Sequence, residues 1–570
     1  MKFKFKILLF FVLAITVSSC QNDFLDERSV LVDVTLDQLY YNYPYMQGVV
    51  WNTYSYLPNG FSYAYQDAAT DNAEATNELS PLQKFNNGTW DQFTNPDDVW
   101  AHYFSGIRQA NLYLKNRSKT SIDYIKNGII GQDSTVYINA KNNLVFMHGE
   151  VLFLKAYFYF ELVKRYGGVP IMEEPLDFAN SSALKNIKRN SLSECVSYII
   201  NLCDSAKLYI PADLSPYAWY QDGRVTQGAM LALKSRVLLY AASPLYTDNG
   251  STTKWEDAAK AAYEVINTNS YKLADSYAQL FGSNNNSTSE VIFKQRNYGS
   301  LNYLEFDNFP KVFDGSNGNS ITPTQNFVDA FEVLTKDASG SITGSIPFDW
   351  NNPVHSANPY LNRDPRFYAT VVYNGEVYKG ITIQTYAGGN SGQPILGATK
   401  TGYYLAKWID PAIDLVNNTS SNHTWIYFRY GEVLLNYAEA MFNAFGATAD
   451  PNGYGMSALQ AINKVRTRAG MPNLSDIDLT QLRIENERNV ELSFEDQRFW
   501  DVRRWEKGDY FNRTVNKISI VKSGTDLEPV YTFNVKPLEN RVFETKMYFY
   551  PIPQSEIIKT GWSQNALWSN

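Results

Sequence analysis

Apolar and small residues recur at the three-and-four spacing of one helix face in four blocks of the chain. The first is Val145, Gly149, Leu152, Phe153, Ala156, Phe160 and Val163; the second, a small-residue face suited to close packing, is Gly228, Leu231, Ala232, Ser235, Leu238 and Ala242. Tyr430, Leu434, Tyr437, Ala438 and Met441 form a third, and Leu459, Ile462, Val465 and Ala469 a shorter fourth. Segments 98–115 and 191–208 also read as helices. Between about 271 and 424 the character changes to Asn, Gly, Ser, Pro and aromatics, with short alternating runs such as 368–373 ahead of Asn374-Gly375, a hairpin signal. The pattern predicts a mainly α protein in which helical parts at about 20–270 and 425–570 enclose a loop-rich lobe with small strands at about 271–424. So long an irregular stretch is more often functional than ornamental.

The N-terminus changes the picture of where the chain resides. Lys2, Lys4 and Lys6 precede an apolar run from Ile7 to Val17, and Val17-Ser18-Ser19-Cys20 follows. The run is short of the roughly 20 residues a spanning helix needs, so it reads as a secretory signal over 1–19. Small residues before a cysteine fit a bacterial lipobox, with Cys20 acylated and a single mature domain over 20–570. The acidic stretch after Cys20, from Asn22 to Glu27, resembles the signal that Bacteroidetes-type bacteria use to display lipoproteins on the cell surface. The expected location is therefore the outer membrane, lipid-anchored and facing outward.

Cys195 and Cys203 are eight residues apart on one expected helix, about 12 Å, which excludes a disulfide between them. Stability must come from the core, for which 570 residues at 44% hydrophobic are ample. Loss of the three signal lysines takes the net charge from -8 to -11. With no Lys/Arg stripe to override that balance, nucleic acid is set aside as a partner.

Aromatic residues make up 15% of the chain, with 41 Tyr and 12 Trp, against 19% charged residues. Tyr and Trp offer a flat apolar face that stacks on a sugar ring, although aromatics also dominate cores. Two stretches combine such faces with polar groups. The first, from Tyr63 to Trp100, offers Tyr63, Tyr65, Asp67, Asp71, Asn72 and Trp90; the lobe offers Tyr298, Tyr303, Trp350, Tyr360, Arg363 and Tyr386. Trp90 or Trp350 is the expected sugar platform.

Several motifs, in order, resemble the SusD/RagB family. Residues 149–162 followed by Tyr166-Gly167-Gly168-Val169-Pro170 are similar to its long helix and the turn that ends it. Gly223, Arg224 and Thr226 match its Gly-Arg-x-Thr element, with Thr226 as N-cap. Asp364-Pro365-Arg366-Phe367, the segments 429–440, 463–470, 487–492 and 499–505, and Tyr550-Pro551-Ile552-Pro553 complete the set. The resemblance implies a tetratricopeptide-like helical scaffold that acts as the lid of a SusC-like TonB-dependent transporter. It also implies capture of an oligosaccharide or, in RagB-like members, a peptide, by loops whose contacts vary between members.

An enzyme reading would look to Glu485, Glu487, Arg488, Glu491, Glu495, Asp496, Arg498, Arg503 and Arg504. A glycosidase needs two carboxyls flanking one bond, whereas carboxylates crowded by arginines are held ionised and are poor acids, so these are expected to tie helices together. The four histidines lack metal-ligand spacing, and no phosphate loop or nucleophile elbow appears. Asp248-Asn249-Gly250 fails as an EF-hand loop. No cofactor and no catalytic residue are expected, and a structural calcium ion has no argued site. The rival readings are a lipid-anchored glycosidase and a lid with no affinity of its own.

Overall fold

The computed structural model describes residues 35–127, 134–176, 185–247, 252–283, 285, 288–296, 302–318, 321–525 and 528–568. Cys20, the signal segment, Asp248-Asn249-Gly250 and Tyr298 lie outside the described residues, as does the side chain of Tyr63.

The main helices are α1 (Leu36–Tyr41), α2 (Tyr43–Tyr54), α3 (Trp100–Asn116), α4 (Thr135–Tyr166), α5 (Leu192–Lys207), α6 (Gln227–Ala242), α7 (Thr252–Ile266), α8 (Tyr303–Asn308), α9 (Tyr430–Phe445), α10 (Ala458–Arg468), α11 (Gln481–Leu492) and α12 (Arg498–Arg504). Their starts follow local chemistry. Ser191 caps α5 in a reciprocal box with Glu194, Ser457 caps α10 with Gln460, and the Thr226 hydroxyl accepts from the Ala229 N–H at 3.2 Å to open α6. Gly167 ends α4 at a φ of 73°, its N–H bonded to Val163 O.

Each helix from α2 to α7 packs on the next, and α7 then packs on α9, which packs on α10 and α11. The result is a tetratricopeptide-like stack that passes from α7 straight to α9, with residues 267–429 lying between them in sequence. Close approach at α6 requires a glycine, because a Cβ on Gly228 would lie 1.9 Å from the Tyr271 hydroxyl.

Helix α4 departs from its expected one-sided face. Val145 is exposed, but every residue from 146 to 166 is buried, including Glu150, Lys155, Glu161, Lys164 and Arg165. Neighbours surround it: α2, α3, α5 and α6 all touch it. Four of these five charges are paired, Glu150 with Arg224 and Glu161 with Lys164 and Arg165, which is the usual condition for burying them, while Lys155 lies over the Tyr198 ring at 5.5 Å and is lowered by burial to about 8.

The described strands form six two-stranded antiparallel pairs. β1 (Ala73–Ala75) pairs with β3 (Ile321–Pro323), joining the N-terminal stretch to the lobe, and β2 (Val291–Lys294) pairs with β10 (Ile426–Arg429), bringing the two ends of the inserted segment together. β4 (Val333–Lys336) with β5 (Ile342–Ile346), β6 (Val371–Val372) with β9 (Tyr404–Leu405), and β7 (Val377–Tyr378) with β8 (Ile381–Thr382) lie within the lobe. β11 (Thr514–Gly524) and β12 (Pro529–Asn540) make a long ribbon near the C-terminus.

The hairpin expected around Asn374-Gly375 is corrected. Residues Pro365–Thr370 are helical, because the Asp364 side chain accepts the Arg366 N–H and Pro365 sits in the first turn. Only Val371 and Val372 of the alternating run are strand, paired with β9, and the hairpin is the next two strands, turning at Lys379-Gly380.

Candidate functional site

The charged cluster of the C-terminal helices is a buried lattice. Arg429 binds Glu290, Glu491 and Glu495, Arg366 binds Asp364, Glu487 and Glu491, and Arg466 binds Glu332 and Glu487, all with side chains at most 6% exposed. Arg488 and Arg504 share Asp501, and Arg504 also binds Glu439. Burial alone would raise Glu491, but Arg468, Arg429 and Arg366 hold its carboxyl down to about 2. Such carboxylates are ionised and saturated with donors. Arg503 differs from the rest: it lies over the Phe499 ring at 3.5 Å and donates to Phe499 O at 3.1 Å.

The same lattice absorbs several expected ligand contacts. Asp71 accepts from Arg498 Nε at 2.9 Å and Nη2 at 2.8 Å, and Asp67 accepts from the Phe494 N–H at 2.8 Å and Asn72 Nδ2 at 2.9 Å. Asp67, Asp71 and Asn72 are buried, so they tie the N-terminal stretch to residues 494–498 and present nothing to a ligand. Burial pushes Asp67 up to about 7 despite those donors. Trp90, 2% exposed, is packed among Phe85, Tyr550 and Trp568 at centroid distances of 4.9 to 5.1 Å. Its ring faces are covered, which corrects the expectation that it stacks on a sugar.

In the lobe, Arg363 is also buried, donating to Pro359 O and Phe331 O beneath the Phe348 ring. Tyr360 lies tilted against Tyr373 at 4.6 Å and edge-on to Phe533 at 5.5 Å. Trp350 is half-buried, donating from Nε1 to Asp329 at 3.1 Å and meeting Phe348 edge-on. Tyr386 is half-buried beside Tyr531 of the ribbon, with Lys522 over its ring at 5.5 Å. Trp350 and Tyr386 therefore have separate surroundings.

The two stretches do meet at one place. Tyr65, half-buried, donates to Asp307 Oδ2 at 3.3 Å. Asp307 lies on α8, where Tyr303, Phe306 and Asp307 share one face by their three- and four-residue spacing. Tyr303 is 36% and Phe306 45% exposed. Asn302, just ahead of α8, donates to Asn418 Oδ1 at 2.7 Å. The 414–419 turn is held by Asp414, which accepts from the N–H groups of Val416 and Asn417 and from Asn417 Nδ2. Burial raises Asp307, opposed by hydrogen bonds from Tyr65 and Asn317, and raises Glu305 to about 7. Burial, then the nearby Glu305 and Asp307, lifts Tyr303 to about 12, so its hydroxyl stays protonated and able to donate. The arrangement is an exposed pair of aromatic rings edged by a carboxyl, hydroxyls and amides. That is the chemistry that grips a ring bearing hydroxyl groups. Phe306, Asp307, Asn302 and Asn418 were missed in the sequence; their signal was only a polar, aromatic context shared by much of the lobe.

Among the described residues, no helix is long and apolar enough to cross a membrane.

A model of the SusD family matches residues 247–568, and a second model, described as starch-binding associating with outer membrane, matches residues 22–239. A SusD-like protein of Formosa agariphila is 24% identical over 545 residues, covering 88% of this chain and 89% of its own, and another of that organism is 23% identical over 500 residues, covering 82% and 81%. Among solved structures, a SusD-like protein from Bacteroides fragilis superposes with a TM-score of 0.75 at 27% identity, over 94% of this chain and 99% of its own. A laminarin-binding SusD-like protein superposes at 0.61 with 20% identity, over 93% and 100%. With a lobe inserted in a helix stack, and a family model spanning more than half of its length, this chain belongs to the SusD family.

Proposed function

We propose that this protein is a surface-displayed, lipid-anchored glycan receptor that captures oligosaccharides and passes them to a SusC-like TonB-dependent transporter, which it covers as a lid. The observation that carries the reading is the face built by Tyr65, Tyr303, Phe306 and Asp307, where exposed rings adjoin polar groups in a member of a family with a laminarin-binding relative. The carboxylates of the helical scaffold support a binding role over a hydrolytic one, since their oxygens are occupied by arginines. The lipid on Cys20 and the transporter partner rest on the lipobox and the family.

Affinity electrophoresis of the mature protein against laminarin, starch and other neutral glucans, with Tyr303→Ala and Phe306→Ala beside it, tests the face. Retarded migration in at least one gel, lost in both variants, is the expected result. Wild-type retardation that both variants retain rules the face out, and new reducing ends after incubation would favour a hydrolase. Pull-down of a co-expressed SusC-like transporter by the acylated protein, with Cys20→Ala as control, tests the lid.

A further inference from the structure

A second opening lies on the helical scaffold, on other elements than those carrying Tyr65 and Tyr303. It is a groove of about 880 Å³ between α10, the start of α9 and residues 271–275, within the range of small-ligand sites. One wall is a single face of α10, since Gln460, Asn463, Lys464, Thr467 and Arg468 recur at helical spacing. The facing wall carries Tyr271, Lys272 and Asp275, with Tyr430 from α9.

Much of the polar lining is already used. Asn463 exchanges both amide bonds with Leu474, Thr467 donates to Asn473, and Gln460 Oε1 accepts from the Ser457 N–H. Arg468, with a side chain 4% exposed, spends its terminal nitrogens on Glu290 and Glu491, while its Nε has no partner. What remains is rich in donors. Lys272 and Lys464 are exposed, and among the described residues neither ammonium has an ion pair or hydrogen bond, on a chain whose net charge is -8. Among the described residues Asp275 is the one acidic side chain in the lining. Ala274, Leu434 and Met456 are buried and form the floor, beside half-buried Leu273.

We propose that this groove is a second binding site, selective for acidic oligosaccharides, in which Lys272 and Lys464 take carboxylate or sulfate groups from the two walls. Tyr271 and Tyr430 supply apolar ring surface beside them. The inference rests on the glycan-binding reading but not on the face at α8, and the two fail separately.

Calorimetry on the mature full-length protein tests it with oligogalacturonate, a sulfated galactan oligosaccharide, neutral laminarin oligosaccharide and polyglutamate. Lys272→Ala/Lys464→Ala is compared with Tyr303→Ala. Both lysines are exposed, so the double variant is expected to fold normally. The expected result is binding of at least one acidic sugar that weakens about tenfold in the double variant, the scale of a charge-assisted hydrogen bond. It should also weaken as salt rises to about 0.15 M, as screened charge contacts do, while Tyr303→Ala leaves it intact. Which acidic sugar binds separates carboxylate from sulfate recognition. Wild-type protein that binds neither acidic sugar overturns the proposal, as does a double variant with wild-type affinity. Polyglutamate bound more tightly than either sugar assigns the groove to acidic peptides instead. Loss of acidic-sugar binding in Tyr303→Ala would show a single site at α8 and overturn it too. Laminarin binding that fails while the lysine-dependent binding persists would sink the α8 face and leave the groove standing.

Discussion

Glu491 on the scaffold and Glu305 in the lobe are the same side chain, both buried, and they respond in opposite directions. Three arginines hold Glu491 down to about 2, whereas Glu305, with no ion-pair partner among the described residues, is lifted by burial to about 7. The division follows the arginines more than the region: Glu332 and Asp364 of the lobe are bound by Arg466 and Arg366, while Asp67, tied to residue 494 by a backbone N–H, is raised by burial to about 7. Glu487 and Asp501 are lowered by their arginines like Glu491, while Glu376, at about 7, and Asp329, at about 6, are raised by burial like Glu305. The carboxylates of Glu487, Glu491 and Asp501 are fixed as part of the packing; Glu305 and Glu376 keep hydrogen-bonding capacity that can change near neutral pH. A binding face needs the second kind of group and a rigid support needs the first.

The strongest way to break this contrast is to remove a scaffold cation. Arg429→Met leaves Glu290, Glu491 and Glu495 short of a partner inside the protein, and should cost about 3–5 kcal/mol in denaturant unfolding. A loss below about 1 kcal/mol would mean that the lattice is not a unit. Trp90→Ala comes next, opening a cavity beside Tyr550 and Trp568 that should cost about 3 kcal/mol. Glycan affinity of the folded protein should not move; a fall in affinity at unchanged stability would restore Trp90 as a ligand contact.

Tyr303→Ala should show the reverse. Its partly exposed ring predicts a change in stability within about 0.5 kcal/mol and a loss of glycan binding, read by calorimetry beside a thermal melt. The finest test is pH. A scaffold carboxylate such as Glu491, lowered in the folded state, contributes stability that is present above its ordinary 4.5 and lost as pH falls toward about 2. Glu305, raised in the folded state, contributes stability that is present below 4.5 and lost as pH rises through about 7. Hydrogen exchange at residues 303–309, corrected for its intrinsic rate, should therefore quicken from about pH 5 to 8. Glu305→Gln should flatten that trend, and an unchanged slope in the variant would exclude Glu305 as its source.

The helical scaffold was legible because its signals are local. Caps at Ser191 and Thr226, the Gly167 stop and the periodic faces of α6, α9 and α10 are written within one or two helical turns. The arginine-rich C-terminal cluster was also readable as an ion-pair network, because so many opposite charges in a short stretch have few other outcomes. The face at α8 was half legible: Tyr65 and Tyr303 stood among a dozen candidates, with nothing to separate them from Trp90, Asp71 or Arg363.

The chain by itself determined a mainly helical architecture interrupted by an irregular lobe and the family to which that order of motifs belongs. Tertiary structure alone decided which aromatic and acidic side chains are walled in and which remain free. Trp90 is covered by Tyr550 and Trp568 from the far end of the chain, Asp71 is claimed by Arg498 across 427 residues, and Tyr65 reaches Asp307 across 242. Burial and pairing depend on partners that distant in sequence, and neither periodicity nor composition carries that information.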